Sequence, residues 1–481
     1  MKRRRATWLW AALSAFGAAF GAASTAEAQE QPWLRDRRYT DGSGVSAGDF
    51  VFHPGIAGEL GYDSNIMLRS GSANEPRTEA LRLIITPHLQ FNNRLPAAEG
   101  VGGNAPQPRR PPYNLSGNVA LSYNEFFKLN SGGSDLPRHR NLGILAGLRF
   151  VLAPYGKLGG EVHGDVVRTI QPSNLGDPSA TFNRTTPRLG GSVIWRPGGG
   201  LFEWNVVGYD FTYTYFEDAP FNNLSNSFHQ FYTRGSWRFR PRTALVFDST
   251  VGLYRFGGST ERPDGDIVRS RIGLNGLVTN NFAFTVIGGW GASFYKTKAG
   301  DVQDYDSFIG QAEARFYLSN PPRDAGGDEP GAPPRAGLYP STIAVGYTRD
   351  FSQSYISNFY QRDRGYASLS YFLNGQVLAS LTGGVARNSF PTSFHTDGRV
   401  PTPAFVATSY DLTAFLEYRP VPNVGVHLTG SYQRFDNNAR IEITPPDVNG
   451  NGDLTDDGPL RRFDELWWER VQVLLGARYL L

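Results

Sequence analysis

The sequence contains no cysteine among its 481 residues and only 2 methionines. The absence of cysteine excludes a disulfide framework, a thiolate nucleophile, a cysteine-ligated metal site and a cysteine-linked lipid anchor. A strong charge of one sign is also lacking, because the formal net charge is +3, which does not indicate a nucleic-acid partner. Beyond the first 28 residues no stretch reaches the roughly 18 consecutive apolar residues that a membrane-spanning helix needs. A role in a membrane would therefore have to rest on strands.

Glycine and aromatic residues are abundant, with 56 Gly and 13% aromatic residues, while the mean hydropathy is −0.37. A helical membrane protein would have a positive mean hydropathy. A barrel in a membrane has strands in which only alternate residues are apolar, and this composition fits it.

The N-terminus has the features of an export signal. Basic residues from Lys2 to Arg5 precede an apolar stretch from Trp8 to Ala23, and Ala26-Glu27-Ala28 is typical of a cleavage site. We expect residues 1–28 to be a signal peptide, residues 29–49 a flexible periplasmic segment and residues 50–481 a transmembrane barrel.

Apolar and polar residues alternate with a period of two in the last strand of the chain. One face carries Val471, Val473, Leu475 and Tyr479, and the other carries Arg470, Gln472, Gly476 and Arg478. Similar runs recur about 18 times, separated by Asn-Gly, Pro-Gly and Gly-Gly turns of the kind that join hairpins. Closure is required because an open sheet edge in hydrocarbon leaves backbone groups without partners. The sequence therefore predicts an all-β fold, a transmembrane antiparallel up-and-down β-barrel of about 18 strands.

The connections alternate in length along the chain. Tight turns follow the even-numbered strands and longer polar loops follow the odd-numbered ones, which predicts short periplasmic turns and long external loops. Two periplasmic connections, Asn93 to Pro112 and Asn320 to Gly337, are long and rich in Pro and Gly. They are either unstructured insertions or the place where a periplasmic export protein docks.

The inward positions of the predicted strands are rich in arginine. The predicted lining residues are Arg82, Arg149, Arg188, Arg234, Arg238, Arg269, Arg271, Arg315, Arg362, Arg364 and Arg478, together with Glu313. One interpretation is a water-filled channel that favours anions. The other is a wall in which arginines and carboxylates neutralise each other.

Other inward residues allow further interpretations. Tyr232, Tyr305 and Tyr366 could form a surface for sugar rings, or reflect ordinary barrel composition. His163 lies between Glu161 and Asp165 and is either an acid–base group or an ion-pair partner. Since no G-x-S-x-G, H-E-x-x-H or P-loop motif is present, we expect no enzymatic activity.

The stretch from Asp447 to Gly458 resembles the first half of a calcium-binding loop. Its candidate ligands are Asp447, Asn449, Asn451 and Asp453, but Gly458 stands where a bidentate acid is usual. It is either a structural calcium site in an external loop or a cluster of turn-forming residues. We expect no other cofactor.

The run Gly61-Tyr62-Asp63-Ser64-Asn65-Ile66 resembles the opening motif of the β-barrel porin 2 family, Gram-negative outer-membrane barrels associated with exopolysaccharide systems. The last strand is similar to the C-terminal signal of outer-membrane barrels, although Leu481 replaces the usual Phe or Trp. The resemblance implies a porin in contact with lipid of the cell outer membrane, and secretion of polysaccharide with a periplasmic export protein as partner. Two alternatives stay open: a passive diffusion porin for small anionic solutes, and a surface adhesin or structural barrel that uses the loop Asn437 to Arg461.

Overall fold

The structure is a computed structural model. It describes residues 44–71, 76–93, 111–130, 141–169, 183–197, 201–217, 224–257, 263–296, 303–318, 341–354, 357–392, 403–421, 423–437, 439–443 and 462–481. The predicted signal peptide, most of the two long periplasmic connections and the calcium-like loop lie outside these residues. No helix in the described ranges is both long enough and apolar enough to cross a membrane.

The described residues form strands almost throughout. They are β1 Val45–Ala47, β2 Phe50–Asp63, β3 Ala80–Asn93, β4 Tyr113–Lys128, β5 Asn141–Leu152, β6 Leu158–Thr169, β7 Arg184–Trp195, β8 Phe202–Phe216, β9 Asn226–Arg240, β10 Thr243–Phe256, β11 Asp264–Leu277, β12 Phe282–Lys296, β13 Tyr305–Tyr317, β14 Thr342–Gln353, β15 Phe359–Leu373, β16 Val377–Phe390, β17 Phe405–Val421, β18 Val424–Asp436, β19 Arg440–Ile443, β20 Arg462–Glu465 and β21 Trp468–Leu480.

The main sheet is a closed antiparallel barrel of 18 strands, β2 to β18 and β21. Each strand pairs with the next along the chain, and β21 pairs with both β18 and β2. The pairing of β2 with β21, for example Leu60 with Leu475, closes the ring. The predicted fold class is thus confirmed. Closure leaves no barrel strand with an unpaired edge, which is the condition for strands in a membrane.

The two ends of the barrel differ in their connections. Because β1 precedes the first barrel strand, the even-numbered strands of the barrel carry odd labels. We call the end that holds the turns after β5, β7, β9, β11 and β15 the short-turn end, and the opposite one the long-loop end. The turn between β15 and β16 shows why such turns can be short. Asn374 and Gly375 have φ values of 51° and 72°, the left-handed conformation that a two-residue hairpin turn demands and that Asn and Gly tolerate.

Aromatic side chains form a belt on the outer face at the short-turn end. The ring pairs and their centroid distances are Phe52–Phe91 at 5.8 Å, Tyr113–Phe150 at 5.9 Å, Trp195–Trp204 at 6.2 Å and Phe282–Phe316 at 4.8 Å. Further along the strands the exposed outer side chains are aliphatic, such as Leu189, Val286 and Leu475. Exposed aromatic rings return towards the long-loop end, as at Trp290 and Tyr347. An apolar band between two aromatic belts is typical of a barrel surface in contact with lipid.

The structure extends three of the predicted segments. Residues 29–49 were predicted to be a flexible lead-in, yet Val45–Ala47 pairs with the start of β2. The third predicted strand, followed by an external loop predicted from Glu125 to His139, is longer than its alternation indicates, because β4 continues to Lys128. Strand β19 lies within the predicted loop from Asn437 to Arg461 and pairs with β20, which directly follows that loop. In all three cases backbone pairs form outside the strands that the sequence predicts.

Candidate site in the barrel lumen

Most of the predicted inward arginines have a carboxylate partner on the same face of the wall. The shortest nitrogen–oxygen distances are 2.7 Å for Arg149–Glu161, 2.6 Å for Arg188–Asp210, 3.1 Å for Arg269–Asp350, 2.9 Å for Arg271–Asp248, 2.7 Å for Arg315–Glu313 and 2.6 Å for Arg364–Asp411. A guanidinium that binds a carboxylate within the wall presents less net charge to the lumen. The pairs favour the interpretation of a neutralising wall for these six arginines.

Several polar side-chain contacts bridge two strands by passing over a glycine of the strand between them. Glu59 of β2 and His427 of β18 are 3.1 Å apart, and they meet over Gly476 of β21. Glu417 of β17 accepts hydrogen bonds of 2.5 and 2.9 Å from Arg478 of β21, over Gly425 of β18. Any side chain at these glycines would occupy the space of the ion pair.

The same arrangement occurs elsewhere in the barrel. Gly384 lies under the pair formed by Arg364 and Asp411, and Gly190 lies under His163 and Asp210. Part of the inner wall is therefore built from pairs two strands apart, which a glycine on the middle strand makes possible, whereas Arg149–Glu161 and Arg188–Asp210 join neighbouring strands.

The motif that begins at Gly61 holds the seam where the first and last barrel strands meet. Asp63 accepts hydrogen bonds from Arg470 Nε at 3.0 Å and from Gln472 Nε2 at 2.7 Å, both on β21. The Asn65 side chain donates to the Glu469 carbonyl oxygen at 2.9 Å, and the Asn65 backbone N–H donates to Asp63 at 3.1 Å. These contacts lie at or just past the end of the β2–β21 ladder, so the motif has a structural role in closing the barrel.

The backbone at this seam also approaches very closely. A Cβ atom on Gly61 would overlap the carbonyl oxygen of Val473. Ser64 adds a backbone hydrogen bond of 3.0 Å to Val471, whose own N–H donates to Ser64 Oγ at 2.8 Å. The glycine at the start of the motif is thus required by the close approach of β21.

His163 contacts one of the two carboxylates that sequence spacing indicated, Glu161, and a second one that it did not, Asp210. Its Nε2 is 3.0 Å from Asp210 Oδ1 and its Nδ1 is 3.5 Å from Glu161, whereas Arg188 binds the other oxygen of Asp210. Asp210 belongs to β8, two strands away, and was not among the predicted inward carboxylates. The outward residues Tyr209 and Tyr213 on the same strand are the signal that places Asp210 inside.

Access to the lumen differs around the wall. The His427 and Glu59 side chains beside the seam are 0% and 1% exposed, whereas the Arg149 side chain on β5 is 60% exposed. Glu417 and Arg478 are also buried. Water and solutes therefore reach the wall near β5 more readily than the wall around the seam.

The remaining predicted arginines have other neighbours. Arg234 lies over the ring of Tyr232, with 4.1 Å between the guanidinium carbon and the ring centroid, and Asp248 beside it in register binds Arg271. Arg82 donates to Asn124 at 2.7 and 3.0 Å. Arg362 lies opposite Asp350 in the β14–β15 register.

The end of β9 brings arginines to the short-turn mouth of the barrel. Arg234, Arg238 and Arg240 occupy alternate positions of one strand and so share its inner face, while Trp237 and Phe239 point outwards. Arg240 is exposed, and so is Arg242 in the following turn. This arc of the mouth carries positive charge from three alternate positions of one hairpin, Arg238, Arg240 and Arg242, of which the sequence pattern had indicated only Arg238.

The tyrosines predicted to face the lumen pack against, or hydrogen-bond to, other residues of the wall and are not free to contact a solute along their ring faces. Tyr305 stacks on Phe351 at 4.1 Å and is buried, as is Tyr232. Tyr366 donates a 2.6 Å hydrogen bond to Glu313. These contacts favour ordinary wall packing over a surface for sugar rings.

No group of three or more residues within the described ranges could hold a metal ion among its His, Asp and Glu side chains. Asp447, Asn449, Asn451 and Asp453 lie outside those ranges, so calcium binding stays a prediction.

Comparison with known proteins adds the following. No protein-family model and no curated protein matches the chain. Among solved structures, the FrpB iron transporter from Neisseria meningitidis (F3-3 variant) aligns at 8% identity over 91% of this chain and 82% of that one, with a TM-score of 0.44. Pseudomonas aeruginosa OpdQ aligns at 11% identity over 90% and 98%, with a TM-score of 0.40. A bacterial polysaccharide outer membrane secretin aligns at 8% identity over 90% and 99%, with a TM-score of 0.32. At such values these proteins give no information about what this chain carries.

Proposed function

We propose that this chain is an outer-membrane channel that conducts an anionic polysaccharide out of the cell. The membrane location is supported by the closed barrel and by the apolar band between two aromatic belts on its outer face. The direction and the class of solute are suggested by the resemblance of the Gly61 motif to barrels of exopolysaccharide systems.

An anionic solute is proposed because Arg234, Arg238 and Arg240 line the inner face of β9, and we call these three residues the arginine wall. Arg240 is exposed at the short-turn mouth, and Arg234 stacks on Tyr232 further inside. Six residues of strand separate them, or roughly 20 Å of path at about 3.3 Å per residue. A guanidinium can bind a carboxylate or phosphate with two parallel hydrogen bonds, so spaced arginines offer a polymer successive contacts. In this proposal the short-turn mouth faces the periplasm, as the alternation of turn lengths predicts.

The test compares two double variants in a strain that lacks the chromosomal copy. Arg234→Gln with Arg240→Gln removes charge from the inner wall. Arg387→Gln with Arg434→Gln removes the same charge from outer-face positions near the long-loop end. We expect several-fold less secreted acidic polysaccharide from the first variant and wild-type amounts from the second. Equal secretion by both variants would contradict the arginine-wall mechanism.

A second candidate is a diffusion porin for small anionic solutes. The ion pairs along most of the wall and the buried side chains beside the seam favour it, because both reduce the charge and space available to a polymer. Secretion that is unchanged in the deletion strain, together with slower uptake of small anions, would support this function and exclude the first. The adhesin alternative depends on a loop that lies mostly outside the described residues.

A further inference from the structure

A cavity lies on the outer face of the barrel at the long-loop end of β8, β9 and β10. Its volume is about 300 Å³ and its lining consists of Tyr213, Tyr215, Ser225, Ser227, Arg255 and Gly257. Tyr213 and Tyr215 are 39% and 44% exposed and share the outward face of β8 with Tyr209. Arg255 shares the outward face of β10 with Val251. The cavity therefore opens to the surroundings of the barrel and not to its lumen.

The height of the cavity places it at the edge of the apolar band. Trp204 on β8 belongs to the aromatic belt at the short-turn end, and Tyr215 lies further along the same strand. The intervening residues of a strand tilted by about 40° rise roughly 25 Å, which is about the height of the apolar band of a membrane barrel. Tyr215 is thus at the level of the lipid headgroups of the leaflet on the long-loop side.

The guanidinium of Arg255 is held in position by its neighbours. Its Nη1 lies 2.8 Å from Asp266 Oδ1 and donates a 2.7 Å hydrogen bond to the Tyr254 carbonyl oxygen. Asp266 is shared with Lys296, whose Nζ is 3.2 Å from Oδ2. Asp264 adds a second carboxylate, whose Oδ2 is 3.9 Å from Arg255 Nε, so two carboxylates balance the two cations. Within the described residues the contacts of Arg255 use Nη1 and Nε, so its Nη2 keeps donors for an anion in the cavity.

The rest of the lining supplies hydroxyl groups and flat rings. Ser225 Oγ accepts a 3.1 Å hydrogen bond from the Phe216 N–H, which leaves its own O–H able to donate. Ser227 and the two tyrosines add further hydroxyls, and the tyrosine rings offer apolar faces. The guanidinium can bind a phosphate, the hydroxyls can bind sugar hydroxyls, and the tyrosine rings can pack against the face of a sugar. Together these groups match a lipid headgroup that contains both phosphate and sugar.

We infer that this cavity binds the phosphorylated saccharide headgroup of a lipid in the leaflet on the long-loop side. The inference rests on the proposed membrane location but not on the proposed solute, since the lumen takes no part in it. The test measures lipid binding and not secretion of polysaccharide, so its result does not depend on whether the transport proposal is right.

The test measures lipid binding to the folded full-length barrel. Protein in detergent is mixed with a diphosphorylated disaccharide lipid, and bound lipid is counted by mass spectrometry under native conditions. The variants are Arg255→Gln, Arg255→Lys and Ser227→Ala, with Arg387→Gln as control because Arg387 is exposed on the outer face near the same end of β16. Heat-dependent migration on gels verifies that each variant is folded.

We expect the wild type and Arg387→Gln to retain lipid equally, and Arg255→Gln to bind it about tenfold more weakly. Arg255→Lys, which keeps the charge but loses the planar fork, should fall between them. Equal binding by Arg255→Gln and the wild type would overturn the inference. So would equal binding of the dephosphorylated lipid, or equal binding of glucose 1-phosphate, which would make the ligand a soluble sugar phosphate.

Discussion

Replacing Gly476 with alanine tests whether the inner wall depends on ion pairs that cross over glycines. The new Cβ would overlap His427 Nε2 and lie 2.7 Å from Glu59 Cγ. His427 and Glu59 are both buried, so their 3.1 Å contact cannot be replaced by water without rearrangement. Overpacking costs about 1–3 kcal/mol, and a buried polar group that loses its hydrogen bond costs about 1–3 kcal/mol. We expect Gly476→Ala to lower the free energy of unfolding by about 3 kcal/mol, since part of each cost is relieved by the same movement.

The measurement is equilibrium unfolding in urea of the barrel reconstituted in lipid vesicles, followed by tryptophan fluorescence. Gly430→Ala is the matched control. Gly430 is on β18, next to β21, and a Cβ there would have no atom within 4 Å. Its free energy of unfolding should change by no more than about 0.5 kcal/mol.

The double variant His427→Ala/Gly476→Ala distinguishes a steric conflict with His427 from a general effect of alanine on strand β21. In a His427→Ala background the overlap with the imidazole is gone and only the contact with Glu59 Cγ is left, so the added cost of Gly476→Ala should fall to less than half. The reasoning would be refuted if the cost were the same in both backgrounds, or if Gly476→Ala and Gly430→Ala were equally stable.

Three further outcomes are expected. Asn65→Ala removes the side-chain hydrogen bond to the Glu469 carbonyl oxygen and should lower the free energy of unfolding by about 1–2 kcal/mol, measured by the same urea titration. The hydrogen bonds from Arg168 lower the pKa of Glu217, which lies just past β8. The stability that this pair adds is therefore complete above the ordinary glutamate pKa, near pH 4.3, and is lost as the pH falls through the lowered value. Glu217→Gln should make the wild-type and variant unfolding midpoints converge at low pH, and a constant difference down to pH 2 would contradict this. If the loop at Asp447 binds calcium, chelation should lower the thermal unfolding temperature of the wild type but not of Asp447→Ala.

The strands were predictable because their two environments alternate residue by residue. On β21, for example, Leu475 faces outwards and Arg478 faces inwards. A strand with one apolar and one polar side shows this alternation in its sequence. The Asn374-Gly375 turn was recognisable for a similar reason, since only a few residues adopt its left-handed conformation. The short turns also fix the pairing of the two strands that each of them joins, because a tight hairpin leaves no room for another strand between them.

The partners of the inward charges were not predictable to the same degree. Asp210 was missed, and His163 was assigned to its own strand because spacing along one strand was the available guide. The actual contact crosses Gly190 to a strand two places away. Likewise Asp63 and Arg470 are far apart in the chain, and only closure of the barrel brings them within hydrogen-bonding distance.

The sequence by itself therefore determined the class of fold, the number of strands and the face on which most side chains lie, because these depend on local alternation and turn chemistry. The tertiary structure decided which charges neutralise each other, which part of the wall is accessible and where arginines collect at a mouth. Those properties depend on the register and curvature of a closed sheet, which place side chains from strands two apart over the same glycine.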